Sequence, residues 1–331
     1  MSGYAEDLLV AASNLYYVED LTQEEVARRL KLSRITVTRI LRQARDAGLV
    51  EISVKATMPE MHRLALALEE EWGLSAARVV ASSQDPKVTL AEVGRAGAEL
   101  FSRLLRPGCR VGVAWSRTVS AMIPFVRKPA RPPGGVVELA GTYLERGQRY
   151  AVSWPLAHRL EVPLEAIPMP VLVRNRQARD LMMAEPSIRQ AFADAERVDL
   201  ALVGLGELTV GSSLVRCGYL TRVQLRELKD KGAVGEVLMS FYDARGAPVR
   251  ASFHDRVVSI GLERVSRLPM VIAVAFGRSK LGAIRGALCG GFIQGLVTDR
   301  DTAERLLEGV PSRLGAKGNQ GRARAGESQQ G

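Results

Sequence analysis

The segment from Thr22 to Asp46 constrains this chain more than any other. Thr22 stands three residues before Glu25, the spacing of a capping box, and predicts a helix through about Leu30 with Val26, Ala27 and Leu30 as its buried stripe. Lys31, Leu32 and Ser33 leave room only for a tight turn, and Ser33 is a natural N-cap for a further helix reaching about Asp46. In that helix Val37, Ile40, Leu41 and Ala44 repeat on one face, leaving Arg34, Thr36, Thr38, Arg39, Arg42 and Arg45 outside. Upstream, Leu8, Leu9, Ala12, Leu15 and Tyr16 recur at helical spacing. Three short helices with a three-residue turn between the last two predict a helix-turn-helix. Gly48 ends the third helix, and Leu49 to Val54 alternates as a short strand, the beginning of a wing.

Charge gives this motif a direction. The chain of 331 residues carries a formal charge of +10, which suits a polyanionic partner. Residues 1–56 are neutral in sum, yet Arg28, Arg29, Lys31, Arg34, Arg39, Arg42 and Arg45 face only Glu24 and Glu25 between Thr22 and Arg45. Such a cationic face is what phosphate contacts require. A third helix that enters a major groove needs base-reading groups near its N-terminus, and Ser33, Arg34 and Thr36 supply them. Arg34 can pair with guanine and the Thr36 methyl can touch thymine. Thr38, Arg39, Arg42 and Gln23 are placed for phosphate oxygens. The competing reading is a solvated cationic helix in a small bundle; capping box, turn length, apolar register and charge segregation together favour double-stranded operator DNA.

The rest of the chain has a different grammar. A polar stretch with Pro59 follows Ala56, and then a helix places Met61, Leu64, Ala65, Leu68 and Trp72 on one face. From there to about Leu307, β-rich runs alternate with helical ones. The strands expected are Arg78–Ala81, Arg110–Trp115, Val136–Ala140, Met169–Val173, Asp199–Val203, Val257–Ile260, Met270–Ala275 and Gly295–Thr298. This alternation predicts βαβ units and a mainly parallel, Rossmann-like α/β sheet covered on both sides. Hydrophobic residues make up 47% of the chain, enough for such a core, and only 5% is aromatic, which suits aliphatic packing. Residues 1–56 are therefore read as the DNA-binding domain and 57–311 as an effector and oligomerisation domain. Residues 312–331, rich in Gly, Gln and Arg, are read as a disordered basic tail.

Several classes are excluded or disfavoured. No run approaches 18 uncharged apolar residues, so a membrane span is not expected, and the N-terminus lacks the pattern of a secretory signal. Cys109, Cys217 and Cys289 are odd in number and far apart, which fits a reducing cytoplasm. With no CxxC and only His62, His158 and His254, no metal site is expected, and no sequence calls for a cofactor. No catalytic residue is assigned; His254 and Asp255 are adjacent, without a nucleophile elbow, and are read as structural.

In an open α/β sheet, ligands bind beyond the carboxyl ends of the strands. Four loops qualify. They carry Ser116, Arg117 and Thr118; Gly141 and Thr142; residues 202–208; and Gly277, Ser279 and Lys280 opening a helix. Together they predict a site for a small polar, phosphorylated ligand, although none is a full phosphate-loop signature. Glu236 lies in an otherwise apolar run, where an unpaired carboxylate is costly, so it is expected in the site. Asp243 either serves the Asp-Ala-Arg-Gly turn or contacts ligand.

At this point the residues resemble a known family. The segment 15–54 (LYYVEDLTQEEVARRLKLSRITVTRILRQARDAGLVEISV) looks like the DNA-binding domain of the SorC family of bacterial transcriptional regulators. VGVAWSRTVS, GAVGEVLMSFYDARG and the stretch 255–307 look like its sugar-binding domain. The resemblance covers all but the tail. It implies a cytoplasmic regulator, active as a dimer or tetramer, whose C-terminal domain resembles sugar-phosphate isomerases and deaminases without their activity. It also implies that a phosphorylated sugar alters operator binding. The implied effector contacts are Ser116, Arg117, Thr118, Gly141, Thr142, Glu236, Asp243 and Lys280. Ser116 and Phe276 stand where glycine is usual, and Glu236 where aspartate is. The alternative reading is an isomerase- or deaminase-like enzyme with a DNA-binding appendage.

Overall fold

In the computed structural model, which describes residues 4–50, 59–143 and 150–308, the Thr22 capping box is present in both directions. Thr22 Oγ1 accepts the Glu25 N–H and Glu25 Oε2 accepts the Thr22 N–H. Helix α1 (Glu6–Ser13) runs into a wider π turn over Asn14–Val18, and α2 (Gln23–Leu30) and α3 (Arg34–Asp46) follow. The chain passes from α2 to α3 because Lys31 takes a left-handed conformation (φ 55°) and Ser33 caps α3. Leu9, Ala12, Leu15, Val26, Ala27, Val37, Ile40, Leu41 and Ala44 form one buried cluster. Aliphatic side chains from all three helices thus fill the space that their spacing predicts. The expected wing strand falls mostly on residues 51–54, outside the described residues.

The chain divides into two compact units, Met1–Met58 and Pro59–Gly331. The second is built on a seven-stranded parallel sheet. Its strands are β1 (Ala76–Val80), β2 (Arg110–Val113), β3 (Gly135–Glu138), β4 (Leu164–Glu165), β5 (Leu200–Val203), β10 (Val271–Val274) and β11 (Gly295–Asp299). The spatial order is β1-β11-β10-β5-β2-β3-β4. Successive residues of these strands go to opposite faces, and both faces are buried. Val111, Val113, Leu200, Leu202, Ile272 and Val274 pack under the helices Pro86–Leu104 and Ser153–Leu160. Ala201, Val203, Val271, Ala273 and Ala275 pack on the other side with helices such as Glu60–Trp72 and Leu281–Cys289. This is the two-sided covering that makes parallel strands read as continuous apolar runs.

Two expected strands are not strands. Met169–Val173 and Val257–Ile260 make only isolated bridges, Thr142 with Pro170, Leu172 with Val257 and Ala140 with Ser259. Pro168 and Pro170 lack the N–H that a continuous ladder needs. Conversely, a four-stranded antiparallel sheet, β6 (Gly206–Glu207), β7 (Ala233–Val237), β8 (Ser240–Asp243) and β9 (Pro248–Val249), lies inside what reads as βαβ alternation. Its β7–β8 hairpin turns on Leu238 and Met239, both at positive φ (54° and 59°). The tail, residues 312–331, lies outside the described residues.

Candidate functional site

The strand order reverses direction beside β2, because β3 lies on one side of it and β5 on the other. The loops leaving β2, β5 and β10 therefore converge at the carboxyl edge, where such sheets bind ligands. They enclose a cavity of about 80 Å³. Its walls come from Ala114–Thr118, Gly204–Glu207, Gly211–Leu214 and Arg216, with Glu236, Leu238, Lys280 and Tyr143.

Ser116 caps the short helix Arg117–Ser120, its Oγ accepting the Val119 N–H at 3.2 Å and lying 3.2 Å from Thr118 Oγ1. Thr118 Oγ1 in turn donates to the Val274 carbonyl and ties this loop to β10. The backbone at Ser116 is extended (φ −162°), so nothing here demands glycine, and the bulk of its side chain is accommodated by its neighbour. A Cβ at Gly204 would fall on Ser116 Oγ. Phe276, the other departure from glycine, is buried under the opposite face of the sheet and is not among the cavity residues.

The charged groups meet on the other wall. Lys280 Nζ pairs with Glu207 Oε2 at 2.6 Å and also donates to the Leu205 carbonyl, with both charged side chains largely buried. Burial pushes the Glu207 carboxyl up, but the charge and hydrogen bond of Lys280, aided by Arg117, more than offset it, and the group titrates below the ordinary carboxylate value. Glu236 faces the same space from β7, its Oε2 accepting the Met239 N–H at 2.9 Å. Burial, with Glu207 adding its negative charge, outweighs that hydrogen bond and Lys280 and raises the Glu236 carboxyl to about 7. Pairing of β6 with β7 sets Gly206 opposite Glu236, and a Cβ at Gly206 would collide with its carboxylate.

An aromatic group completes the site. The Trp115 and Tyr143 rings stack 4.7 Å apart at 8°, and Tyr150 and Tyr219 meet Trp115 edge-on. Burial drives the Tyr143 hydroxyl well above its ordinary pKa, with Glu236 and Tyr219 adding to it. Arg216 donates to Tyr150 Oη at 3.1 Å, while Arg117 is exposed and has no ion pair among the described residues.

The geometry thus gathers five sequence-derived candidates, Ser116, Arg117, Thr118, Glu236 and Lys280, around one cavity. It leaves three outside. Gly141 is packed against Met169 and Pro170, Thr142 is exposed with its N–H on the Met169 carbonyl, and the cavity is reached only by the next residue, Tyr143. Asp243 turns its Oδ1 to the Arg245 and Ala247 N–H groups at 2.9 and 2.8 Å, the turn role left open by the sequence. Trp115, Tyr143, Ser212 and Arg216 were not singled out by sequence reasoning, and Glu207 was reached only as part of the loop 202–208. For Glu207 a signal existed, because it follows two glycines at the end of β5.

In the first unit, Ser33 Oγ accepts the Thr36 N–H at 3.1 Å and bonds to Thr36 Oγ1 at 2.8 Å. Thr38 Oγ1 donates to Gln23 Oε1 at 2.9 Å and approaches the Arg34 carbonyl at 3.0 Å, tying α3 to α2. Arg34, Arg39 and Arg42 are exposed and make no ion pair among the described residues. Gln23, Ser33, Thr36 and Thr38 thus build and brace the N-terminal end of α3, and the arginines extend from it.

Comparison with known proteins bears on both units. Residues 57–308 match the family described as "Putative sugar-binding domain", and residues 14–47 match sigma-70 region 4. The chain is 30% identical over 308 residues to the sorbitol operon regulator of Klebsiella pneumoniae, covering 91% of this chain and 98% of that protein. It is 29% identical over 312 residues to the deoxyribonucleoside regulator of Bacillus subtilis strain 168, covering 91% and 97%. The crystal structure of the full-length Klebsiella pneumoniae regulator SorC superposes with a TM-score of 0.70 at 29% identity, covering 93% of this chain and 100% of that one.

Proposed function

Given that this chain belongs to the SorC family of sugar-binding transcriptional regulators, we propose that its cavity binds a phosphorylated sugar and that occupancy sets its grip on operator DNA. The observation that carries this reading is the convergence of Arg117, Arg216, Lys280, Glu207 and Glu236 on one cavity at the carboxyl edge of the sheet. Arg117 and Arg216 suit the phosphate, Ser116 and Thr118 its oxygens or a neighbouring hydroxyl, and Glu236, Glu207 and Lys280 the sugar hydroxyls. In this reading Gly141 and Thr142 position Tyr143, and Asp243 holds the turn that follows β8, so these three act through their neighbours.

On DNA, Arg34 reads a base edge while Arg39, Arg42 and the α2 N-terminus at Gln23 hold the backbone. Two copies of α3 in a dimer, alone or within a tetramer, would lie about 34 Å apart, one turn of DNA. Ligand can shift operator occupancy only by its differential affinity for the two arrangements of such an assembly. The protein acts where that DNA is, in the cytoplasm, and binds its sugar without turning it over.

Thermal unfolding against a panel of sugars and sugar phosphates tests the reading. A ligand at 100 times its dissociation constant stabilises the native state by about 2.7 kcal/mol, readily seen as a shift in midpoint. We expect one phosphorylated sugar to do so and to change operator binding; no shift with any member of the panel would overturn the assignment. One observation favours the enzymatic alternative. Glu236, poised near 7, has the proton affinity of a general base. Consumption of the stabilising sugar phosphate by the purified protein would establish that reading instead.

A further inference from the structure

Helix α3 exposes one large apolar side chain. Ile35, at its second position, is 68% exposed, whereas Val37, Ile40 and Leu41 of the same helix are buried. A β-branched residue there is a poorer helix former than most alternatives, and it buries little of its own surface in return. Its neighbours define the surroundings. Helical spacing places Thr38 and Arg39 three and four residues on and Arg42 seven on, so Ile35 heads the stripe that carries the unpaired arginines, opposite the buried stripe. The polar groups around it are already engaged. Ser33 and Thr36 bond to each other at the cap, and Thr38 is held by Gln23. Arg34 and Ile35 are therefore the side chains at this end of α3 that remain available to a partner.

We propose that Ile35 reads the 5-methyl group of a thymine in the operator's major groove. The thymine methyl is the one apolar feature that a major-groove edge presents, and an aliphatic side chain at the N-terminal end of a recognition helix meets it by desolvation. Arg34 beside it supplies hydrogen bonds to a purine, so the two adjacent residues would select different letters of one half-site. This inference rests on α3 entering the groove.

The test uses full-length protein and operators that it selects from random DNA. Each thymine of one half-site is replaced in turn by deoxyuridine, which removes only the methyl. We expect one replacement to weaken binding about fourfold, the value of one buried methyl-sized group. Ile35→Ala should bind the thymine operator at least fourfold more weakly and show no further loss on the deoxyuridine operator, with an unchanged unfolding midpoint because the side chain is exposed. Ile35→Val should retain most of the sensitivity. Unchanged affinity on every deoxyuridine operator, a selected half-site without thymine, or full sensitivity persisting in Ile35→Ala would each overturn the proposal. Arg39→Ala and Arg42→Ala separate it from its premise. If both bind all DNA as tightly as the parent protein, the groove assignment of α3 itself falls.

Discussion

Replacing Glu236 by glutamine should make the second unit more stable, and increasingly so as pH rises. The unfolded glutamate titrates near 4.5 and the folded one near 7. The folded state therefore holds the proton more tightly, and the protonated carboxyl contributes stability that is complete below 4.5 and lost as pH rises through 7. At about 1.4 kcal/mol per pH unit, the gap sets a ceiling of about 3 kcal/mol. Glu236 keeps some exposure to the cavity, which brings the expected swing nearer 2 kcal/mol. Glutamine remains neutral and still offers an oxygen to the Met239 N–H. Trp72, Trp115 and Trp154 all lie in the second unit, so urea unfolding followed by tryptophan fluorescence reports on that unit alone. The variant-minus-parent difference, measured from pH 5 to pH 8, cancels the other titrations. We expect it to be below about 1 kcal/mol at pH 5 and to reach about 2 kcal/mol in favour of glutamine at pH 8. A difference that stays flat across this range would refute the argument that Glu236 is held against its charge.

Other perturbations follow from the same contacts. Gly206→Ala should abolish ligand-induced thermal stabilisation while leaving DNA binding intact, since its Cβ would displace the Glu236 carboxylate. Lys280→Ala should blunt the effector response and leave Glu207 without its partner, raising the Glu207 pKa; a response equal to the parent's would remove Lys280 from the site. Thr22→Ala removes both hydrogen bonds of its side chain in the α2 capping box and should lower the stability of the first unit by about 1 kcal/mol, measured by circular dichroism. Arg42→Ala should weaken binding to all DNA sequences alike and reduce the slope of log affinity against log salt by about 1.

How far the fold was legible depended on whether its signals were local. The α2–α3 pair is written in contiguous residues, with Thr22, Glu25 and Ser33 capping and Val37, Ile40 and Leu41 in register, and the structure follows them within a residue. Six of the seven parallel strands were legible because burial on both faces forces apolar runs such as 271–274; the seventh, the two-residue, half-exposed β4, carries no such run and was not expected. The antiparallel sheet was not. Its first strand is two residues long, and its hairpin uses Leu238 and Met239 where Asn-Gly would advertise the turn. Met169–Val173 misled for the opposite reason, because β-branched residues outweighed the prolines that forbid a ladder.

The site divides along the same line. Ser116, Arg117, Thr118 and Lys280 follow from a rule about strand ends, and that rule needs only the order of elements. Arg216 reaches the cavity through a pairing distant in sequence, whereas Trp115, Tyr143 and Glu207 lie on loops that the same rule marks, beside the small and hydroxyl-bearing residues that stood out instead. Glu236 sits between these cases. It was conspicuous as a charge in an apolar run, yet its setting comes from the illegible hairpin. Leu238 and Met239 hold left-handed backbone conformations that cost side-chain-bearing residues about 1–2 kcal/mol each. They are kept there by burial of both side chains and by the Met239 N–H donating to Glu236. Glycine at 239 would relieve the backbone but empty a fully buried position. The turn thus exchanges local ease for a carboxylate fixed against the cavity, and the strain lies beside the residue whose proton the site controls.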